Sequence, residues 1–397
     1  MTEAPVRSGD QAGDPRPRLL VMAWSPLRSD ARVLRQISLL ADRYAVTTLG
    51  YGEAPEGVVE HLRIPDAVVH WHKDRRLLAL RRFERAYLDA PVTRAARALL
   101  DAAGQGRPPF DVVIANDADT LPLALDLAPA GGVHLDLHEY ASRQSEESWR
   151  WRLFVAPYYR WLLRRHGSRA ASVSTVGRWL AREYRREFGL ECSVVPNAAP
   201  YADLAPTPVG SPLRLVHSGL ARRGRSLHVM VDAVRATRRE VSLDLYLMPN
   251  DPAYLEELRE STRDLPQVRF HEPVPPNQLR EVLAAGDLGV FVLPPVNFNY
   301  RFTLPNKFFD FVQARLGIIV GPSPEMADLV REHGLGVVLD DFTSASLAAT
   351  LDGLTDAQVV AFKGAAHAAA HELSAQEQVR GWADAVDALA ERARTPR

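Results

Sequence analysis

The reading of the fold starts from Arg18-Leu19-Leu20-Val21-Met22-Ala23-Trp24, followed by Ser29-Asp30-Ala31-Arg32-Val33-Leu34-Arg35-Gln36-Ile37-Ser38-Leu39-Leu40 and then Tyr44-Ala45-Val46-Thr47-Thr48-Leu49. The first segment is a short apolar run of the kind a fully buried strand needs. In the second, Val33, Ile37 and Leu40 recur at helical spacing, behind Ser29 or Asp30 as a cap. The third resumes the strand pattern, so the three predict a β-α-β unit. Outward from it, strands are expected at 110–115, 133–137, 171–175 and 192–195, with helical periods between them. A Pro- and Ala-rich stretch at 198–212 interrupts the alternation. It restarts with strands at 213–217, 243–247, 268–271, 288–293, 318–320 and 337–339, and helices beginning near Arg225, Pro252, Pro276, Pro305, Pro324 and Ser344. Beyond Asp356 the pattern is helical only, with Ser374 as a cap between two segments. The prediction is an α/β protein of two Rossmann-like, doubly wound domains facing a cleft.

Length agrees, because 397 residues suit two domains of about 100–200 residues each. Residues 1–17 read as a disordered leader, 18–197 as the N-terminal domain, 198–373 as the C-terminal domain and 374–397 as a final helix. Hydrophobic residues at 46% and charged residues at 24% exclude a disordered chain. A net charge of −1 argues against a nucleic-acid binder. No apolar run approaches the roughly 20 residues of a membrane span, and no signal peptide is visible, so a cytoplasmic protein is expected. Cys192 is the only cysteine, which excludes an intrachain disulfide and a Cys-rich zinc site.

Open parallel sheets bind ligands at the carboxyl ends of their strands, so the turns after strands are where chemistry is sought. In the second half, Leu304-Pro305-Asn306-Lys307-Phe308-Phe309-Asp310 follows a loop that includes Thr303. Pro305 suits a first helical turn, whose N–H groups can face an anion. Lys307 adds charge there, and Asp310 lies one turn deeper, where a sugar hydroxyl pair would fit. Lys73, Lys307 and Lys363 are the only lysines among 48 basic residues, which weighs against a merely solvated Lys–Asp pair. A second turn, His217-Ser218-Gly219-Leu220-Ala221-Arg222-Arg223-Gly224-Arg225-Ser226, nearly matches a P-loop, with Arg225 in the lysine position. Gly219 allows close backbone approach, and Arg222 or Arg223 can neutralise a diphosphate; a solvated arginine cluster fits the same pattern equally well.

In the first half, Asp117 and Asp119 follow one strand, while His138 and Glu139 follow the next. The two aspartates are weak evidence for a metal, and none is assigned. His138 and Glu139 could bind a substrate hydroxyl or stabilise charge, or His138 could simply be satisfied by its neighbours. Residues 1–196 carry a net +4 and the remainder −5. The excess concentrates between Arg143 and Arg186, where eleven arginines meet three acids among Trp149, Trp151, Tyr158, Tyr159 and Trp161. Helical packing of the aromatics explains this stretch; the alternative is weak contact of residues Trp149 to Arg165 with an anionic acceptor or a membrane surface.

Taken in order, Asp30-Ala31-Arg32-Val33-Leu34-Arg35, the strand ends with Asp117, Asp119, Asp136, His138 and Glu139, then Leu304 to Asp310 and Pro324-Glu325-Met326, resemble the retaining GT-B glycosyltransferases of family four. The resemblance implies a nucleotide-sugar donor on the C-terminal domain, with Gly219 beside it. It implies Arg223 and Lys307 on the diphosphate, Asp310 on the ribose, Glu272 to Val274 along the base through their backbone, and Arg222, Thr303 and Asn306 as further donor-binding residues. His138, Glu139 and Glu325 take the catalytic places, and Asp30, Arg32, Asp117 and Asp119 the acceptor side. The family commonly carries two glutamates eight positions apart; here Asp310 stands at the second and Phe302 at the first. The implied activity is metal-independent transfer of a sugar, with retention, to a small-molecule, glycan or lipid-linked acceptor, in the cytoplasm or peripherally at the inner face of the membrane. Two alternatives remain: a non-catalytic nucleotide-sugar binder or GT-B epimerase or phosphorylase, and more remotely a P-loop phosphotransferase.

Overall fold

Among residues 14–395, which the computed structural model describes, thirteen strands form two wholly parallel sheets. Most of the expected leader, 1–13, lies outside the described residues. The first sheet contains β1 (Arg18–Pro26), β2 (Ala45–Tyr51), β3 (Glu60–Arg63), β4 (Val112–Asn116), β5 (Gly132–Leu137), β6 (Ser172–Thr175) and β7 (Ser193–Val194). Its spatial order is β3-β2-β1-β4-β5-β6-β7. The second contains β8 (Leu213–Leu220), β9 (Val241–Met248), β10 (Val268–His271), β11 (Leu288–Phe291), β12 (Gly317–Val320) and β13 (Gly336–Val338), in the order β10-β9-β8-β11-β12-β13. Each order starts outward from one central strand and then reverses, which is the doubly wound Rossmann arrangement. The reversal falls at β1/β4 in one sheet and β8/β11 in the other.

The inner strands are buried along their whole length, because helices cover both faces: every residue of β2, β4, β11 and β12 is buried. The strand that sequence periodicity missed, β3, is an edge strand with one buried residue, Leu62, so it carries no apolar pattern to detect. The first helix, Ala31–Leu40, starts where expected, with the Asp30 carboxylate accepting from the amides of Arg32 and Val33. Two local expectations need correction. Pro305 is the residue before the helix Asn306–Gln313 rather than part of its first turn, and its extended conformation (ψ 155°) turns the chain into that helix. Ser374 does not cap through its side chain, since its hydroxyl is buried without a hydrogen bond.

The chain divides into two compact units, one reaching Val195 and resuming at Val379, the other Pro196–Gln378. The closing helix, Arg380–Arg394, belongs to the first unit: Val386, Leu389 and Ala390 share a core with Leu19, Val21, Val112 and Ile114. The segment read as a linker is fastened to the second unit, because Arg315 donates to the Ala202 carbonyl at 2.6 Å and the Ala202 amide donates to Gln313 Oε1 at 3.1 Å.

Candidate functional site

Each unit gathers polar residues at the carboxyl edge of its own sheet. In the second unit the centre is Gly219, near the end of β8. Its φ of +146° suits only glycine, and an added Cβ would fall 2.5 Å from Lys307 Nζ. The missing side chain is therefore the space that the lysine occupies. Lys307 enters from the start of the helix Asn306–Gln313 and lies over the Phe291 ring at 4.5 Å from Nζ. Its Nζ is 3.2 Å from His217 Nε2. The other ring nitrogen of His217, Nδ1, donates to the Val290 carbonyl at 2.8 Å, so Nε2 keeps the lone pair and accepts from the lysine. Burial, reinforced by the Lys307 cation, holds His217 neutral, well below its ordinary range.

Lys307 is pushed down to about 7, first by burial and then by the Arg225 charge, with Asp310 opposing both. Asp310 does not neutralise the lysine alone, because Arg280 Nη1 stands 3.6 Å from its carboxylate. Arg225 lies over the Tyr300 ring at 5.0 Å. This corner therefore holds Lys307 between the Arg225 charge and Asp310, with Arg280 on the same carboxylate. Positive charge of this kind is what an arriving phosphate would meet with charge-assisted hydrogen bonds. Arg280 and His217 were given no role by sequence reasoning, the first because it sits on a different short helix, Leu279–Leu283, and the second because a strand histidine reads as core.

The other expected donor residues are more dispersed. Arg223 pairs with Glu257 and covers Tyr254, pointing along the surface, and Arg222 is exposed. Glu272 is exposed and Val274 half-buried after the edge strand β10; nearby His271 stacks on Tyr246 with centroids 4.6 Å apart. Thr303 is half-buried, its amide donating to the Tyr300 carbonyl, and Asn306 is exposed at the helix start. Glu325 is buried in the first turn of the helix Pro324–His333. Phe302, in the place of the family's first glutamate, is buried against Phe298 at 4.7 Å. The P-loop reading fails on geometry: a tight turn at Arg223–Arg225 and a left-handed Ser226 intervene, and the helix begins only at His228.

In the first unit the centre is Asp136, fully buried on β5. Arg32 meets it through two parallel hydrogen bonds of 2.7 Å from Nε and Nη2. Gln36 Nε2 donates at 2.8 Å and Ser174 at 2.5 Å. A buried pair is tolerated only when its remaining polar sites are filled, and here they are. Burial alone would raise the Asp136 carboxyl, but the Arg32 guanidinium and His138 outweigh it and hold it well below the usual range.

His138 follows β5, with Nε2 3.1 Å from Asn116 Oδ1 and 3.3 Å from Asp136 Oδ2, and Nδ1 3.4 Å from Asp117 Oδ2. Burial disfavours its charge, yet Asp117 and Asp136 together raise it above its ordinary value. Both ring nitrogens face acceptors, so this histidine suits donating hydrogen bonds as a cation better than accepting a proton. Asp117 has φ +65°, a left-handed turn that aspartate tolerates, and its carboxylate accepts from the His138 amide at 3.1 Å.

Three residues read as acceptor-side have structural partners. Asp30 caps its helix and accepts from Ser25; Arg32 is buried on Asp136 under Trp382; Asp119 accepts from Tyr158 at 2.9 Å and Tyr159 at 2.7 Å, with Lys73 at 3.3 Å. Glu139 has an exposed side chain, and its backbone carbonyl accepts from Tyr184. Among the described residues, no group of three or more His, Cys, Asp and Glu side chains could hold a metal ion.

HepE from Anabaena in complex with UDP superposes with a TM-score of 0.68 at 13% identity, over 93% of this chain and 99% of that one. Sucrose-phosphate synthase from Thermosynechococcus elongatus gives 0.69 at 11% identity, over 94% and 99%. The UDP-forming α,α-trehalose-phosphate synthase from Burkholderia vietnamiensis gives 0.66 at 13%, over 96% and 100%. The fold is GT-B. No protein-family model and no curated protein sequence matches the chain. The GT-B likeness therefore rests on architecture and spans nearly the whole of each chain, so both sheets have their counterparts.

Proposed function

We propose that this protein is a glycosyltransferase that moves a sugar from a nucleotide-sugar donor to an acceptor with retention and without a metal. The observation that carries the reading is Lys307, a half-buried lysine pushed down to about 7 beside Gly219, with the Arg225 charge acting on it. The neighbours caught with UDP or UDP-glucose support the donor class. The diphosphate develops negative charge as its bond to the sugar breaks, and Lys307, Arg225 and the start of the helix Asn306–Gln313 are fixed cations and dipoles able to stabilise it. Glu325 and Asp310 are our candidates for the sugar and the ribose, with Gly219, Arg222, Arg223, Thr303, Asn306, Glu272 and Val274 around the rest of the donor. In the first unit His138 and the adjacent Glu139 are our catalytic candidates, and Asp117 is the remaining acceptor-side candidate with an exposed carboxylate.

The acceptor is a small molecule, a glycan or a lipid-linked sugar. We take the protein to act in the cytoplasm or peripherally at the inner face of a membrane; no helix among the described residues is long and apolar enough to cross one. The test is a thermal-shift and calorimetric comparison of UDP, GDP, TDP and ADP sugars with and without EDTA, followed by NMR of the product anomer. Binding of one donor that survives EDTA, and a retained anomer, are expected; strict metal dependence or an inverted product would overturn those parts of the reading. The buried Phe302 favours one competitor, a nucleotide-sugar binder or GT-B epimerase or phosphorylase, and donor binding without transfer to any acceptor would select it.

A further inference from the structure

Two segments far apart in sequence share a composition. Residues 75–82 carry Arg75, Arg76, Arg81 and Arg82, residues 148–166 carry Arg150, Arg152, Arg160, Arg164 and Arg165, and neither contains an acid. The fold joins them: the short helix Arg75–Ala79 packs against the wide turn Trp151–Val155, and the Phe83 ring lies 6.1 Å from Tyr158 and 6.0 Å from Trp161. Between them opens a cavity of about 660 Å³, with Phe83 and Trp161 as apolar wall and the guanidiniums of Arg81, Arg152, Arg160, Arg164 and Arg165 around it.

Glu187 is the carboxylate that answers this charge, 2.9 Å from Arg160 Nε and 4.0 Å from Arg164 Nη2. Arg81, Arg152 and Arg165 have no carboxylate partner among the described residues. Beside these cations, three large apolar side chains stand in water: Leu80 is 65% exposed, Leu153 59% and Trp149 56%. Leu80 adjoins Arg81, and Leu153 adjoins Arg152. Exposed apolar groups interleaved with unpaired guanidiniums mark an interaction surface, and the two halves ask for one partner that is anionic outside and apolar beneath.

We propose that this face of the first unit docks on an anionic phospholipid bilayer, with a lipid phosphate seated in the arginine cavity and Leu80, Leu153 and Trp149 entering the boundary between headgroups and acyl chains. Guanidinium forks match phosphate oxygens in pairs and are less tightly hydrated than ammonium groups, so arginine suits a site where headgroups are partly dehydrated. A soluble phosphate would satisfy the cations but leave the two leucines and the tryptophan wet; a bilayer satisfies both. Each arginine near an anionic surface strengthens partition by roughly fivefold. The proposal extends membrane contact from residues 149–165 to the segment 75–82, and does not rest on the transferase reading.

The experiment is cosedimentation of the full chain with vesicles of phosphatidylglycerol and phosphatidylcholine, against phosphatidylcholine alone, at low and physiological salt. Binding is expected only with phosphatidylglycerol, weakening as salt rises. The pair Arg152→Glu and Arg165→Glu should lower partition by more than tenfold, and the pair Leu80→Ser and Leu153→Ser should lower it severalfold at unchanged charge. Both variants should keep the wild-type melting temperature, which separates lost docking from lost folding. No sedimentation with phosphatidylglycerol at low salt, or unchanged partition in correctly folded variants, overturns the proposal. So does inorganic pyrophosphate that binds the cavity, read by Trp161 fluorescence, in a protein that ignores vesicles.

Discussion

If Lys307 meets the diphosphate, donor binding must carry a proton with it. In the unliganded protein the ammonium is pushed down to about 7 by burial and by Arg225. At pH 8 roughly nine molecules in ten therefore hold it neutral. A diphosphate replaces the missing counter-charge and returns the lysine toward its ordinary range, so binding should take up roughly 0.9 proton at pH 8 and roughly 0.1 at pH 6. Affinity should fall by roughly fiftyfold between pH 7 and pH 9 as that proton becomes harder to supply. His217 does not supply the effect, since it is held neutral well below this window.

Calorimetry of UDP in buffers of different ionisation enthalpy measures the uptake as a slope. The Lys307→Met variant should show a flat slope and affinity lower by about one to two decades, the loss of one charge-assisted contact. The same group fixes the sign for stability without ligand. Its folded value lies below its unfolded one, so the folded state holds fewer protons between about pH 7 and 10.5, and wild-type stability should rise with pH across that window more than that of Lys307→Met. A zero slope for wild type at pH 8, or an equal slope in Lys307→Met, would refute the reasoning.

Gly219→Ala places a methyl 2.5 Å from Lys307 Nζ at φ +146°, so UDP affinity measured by calorimetry should drop at least tenfold while Leu220→Ala stays near wild type. Asp136→Asn leaves Arg32 buried without its partner, and urea denaturation should show a loss of about 3–5 kcal/mol. The native Asp136 carboxyl lies below its unfolded value, so its stabilisation should be present above about pH 4 and vanish as pH falls further. His138→Ala should lower turnover on the order of a hundredfold while nucleoside diphosphate affinity stays within about threefold; comparable losses in both would make it a folding residue.

The alternation of apolar runs and helical periods was enough to reveal both sheets, because strands buried on two faces have to be apolar throughout. It could not reveal β3, whose edge position asks for only one buried residue. At the sites, Gly219 and Lys307 were legible from turn chemistry, yet their dependence on each other was not: that the glycine's missing Cβ is the lysine's space is a fact of three dimensions. The scarcity of lysine was a sound sign of something other than a solvated face, but it signals burial rather than function. Lys73 sits on Asp119 and Lys363 on Asp287 and the Gly286 carbonyl, both structurally engaged. Asp30 and Asp119 show the opposite limit. An aspartate after a strand or before a helix looks the same in sequence whether it awaits a ligand, caps a helix or anchors two tyrosines.

What separates the two charged centres is how their charge is balanced. In the first unit Arg32 and His138 face Asp136 and Asp117, so each carboxylate has a nitrogen partner and the network can hold its shape with no ligand. In the second, Arg280 stands 3.6 Å from Asp310 and the Arg225 charge acts on Lys307, whose proton affinity is lowered first by burial and then by that charge. A balanced network orients what reaches it, whereas an unbalanced one recruits its missing charge. This supports our assignment of the donor's diphosphate to the second unit. Phe302 bears on our reading of the sugar: where the family commonly carries a glutamate this chain places an aromatic ring packed on Phe298, so a contact to the transferred sugar has to come from elsewhere.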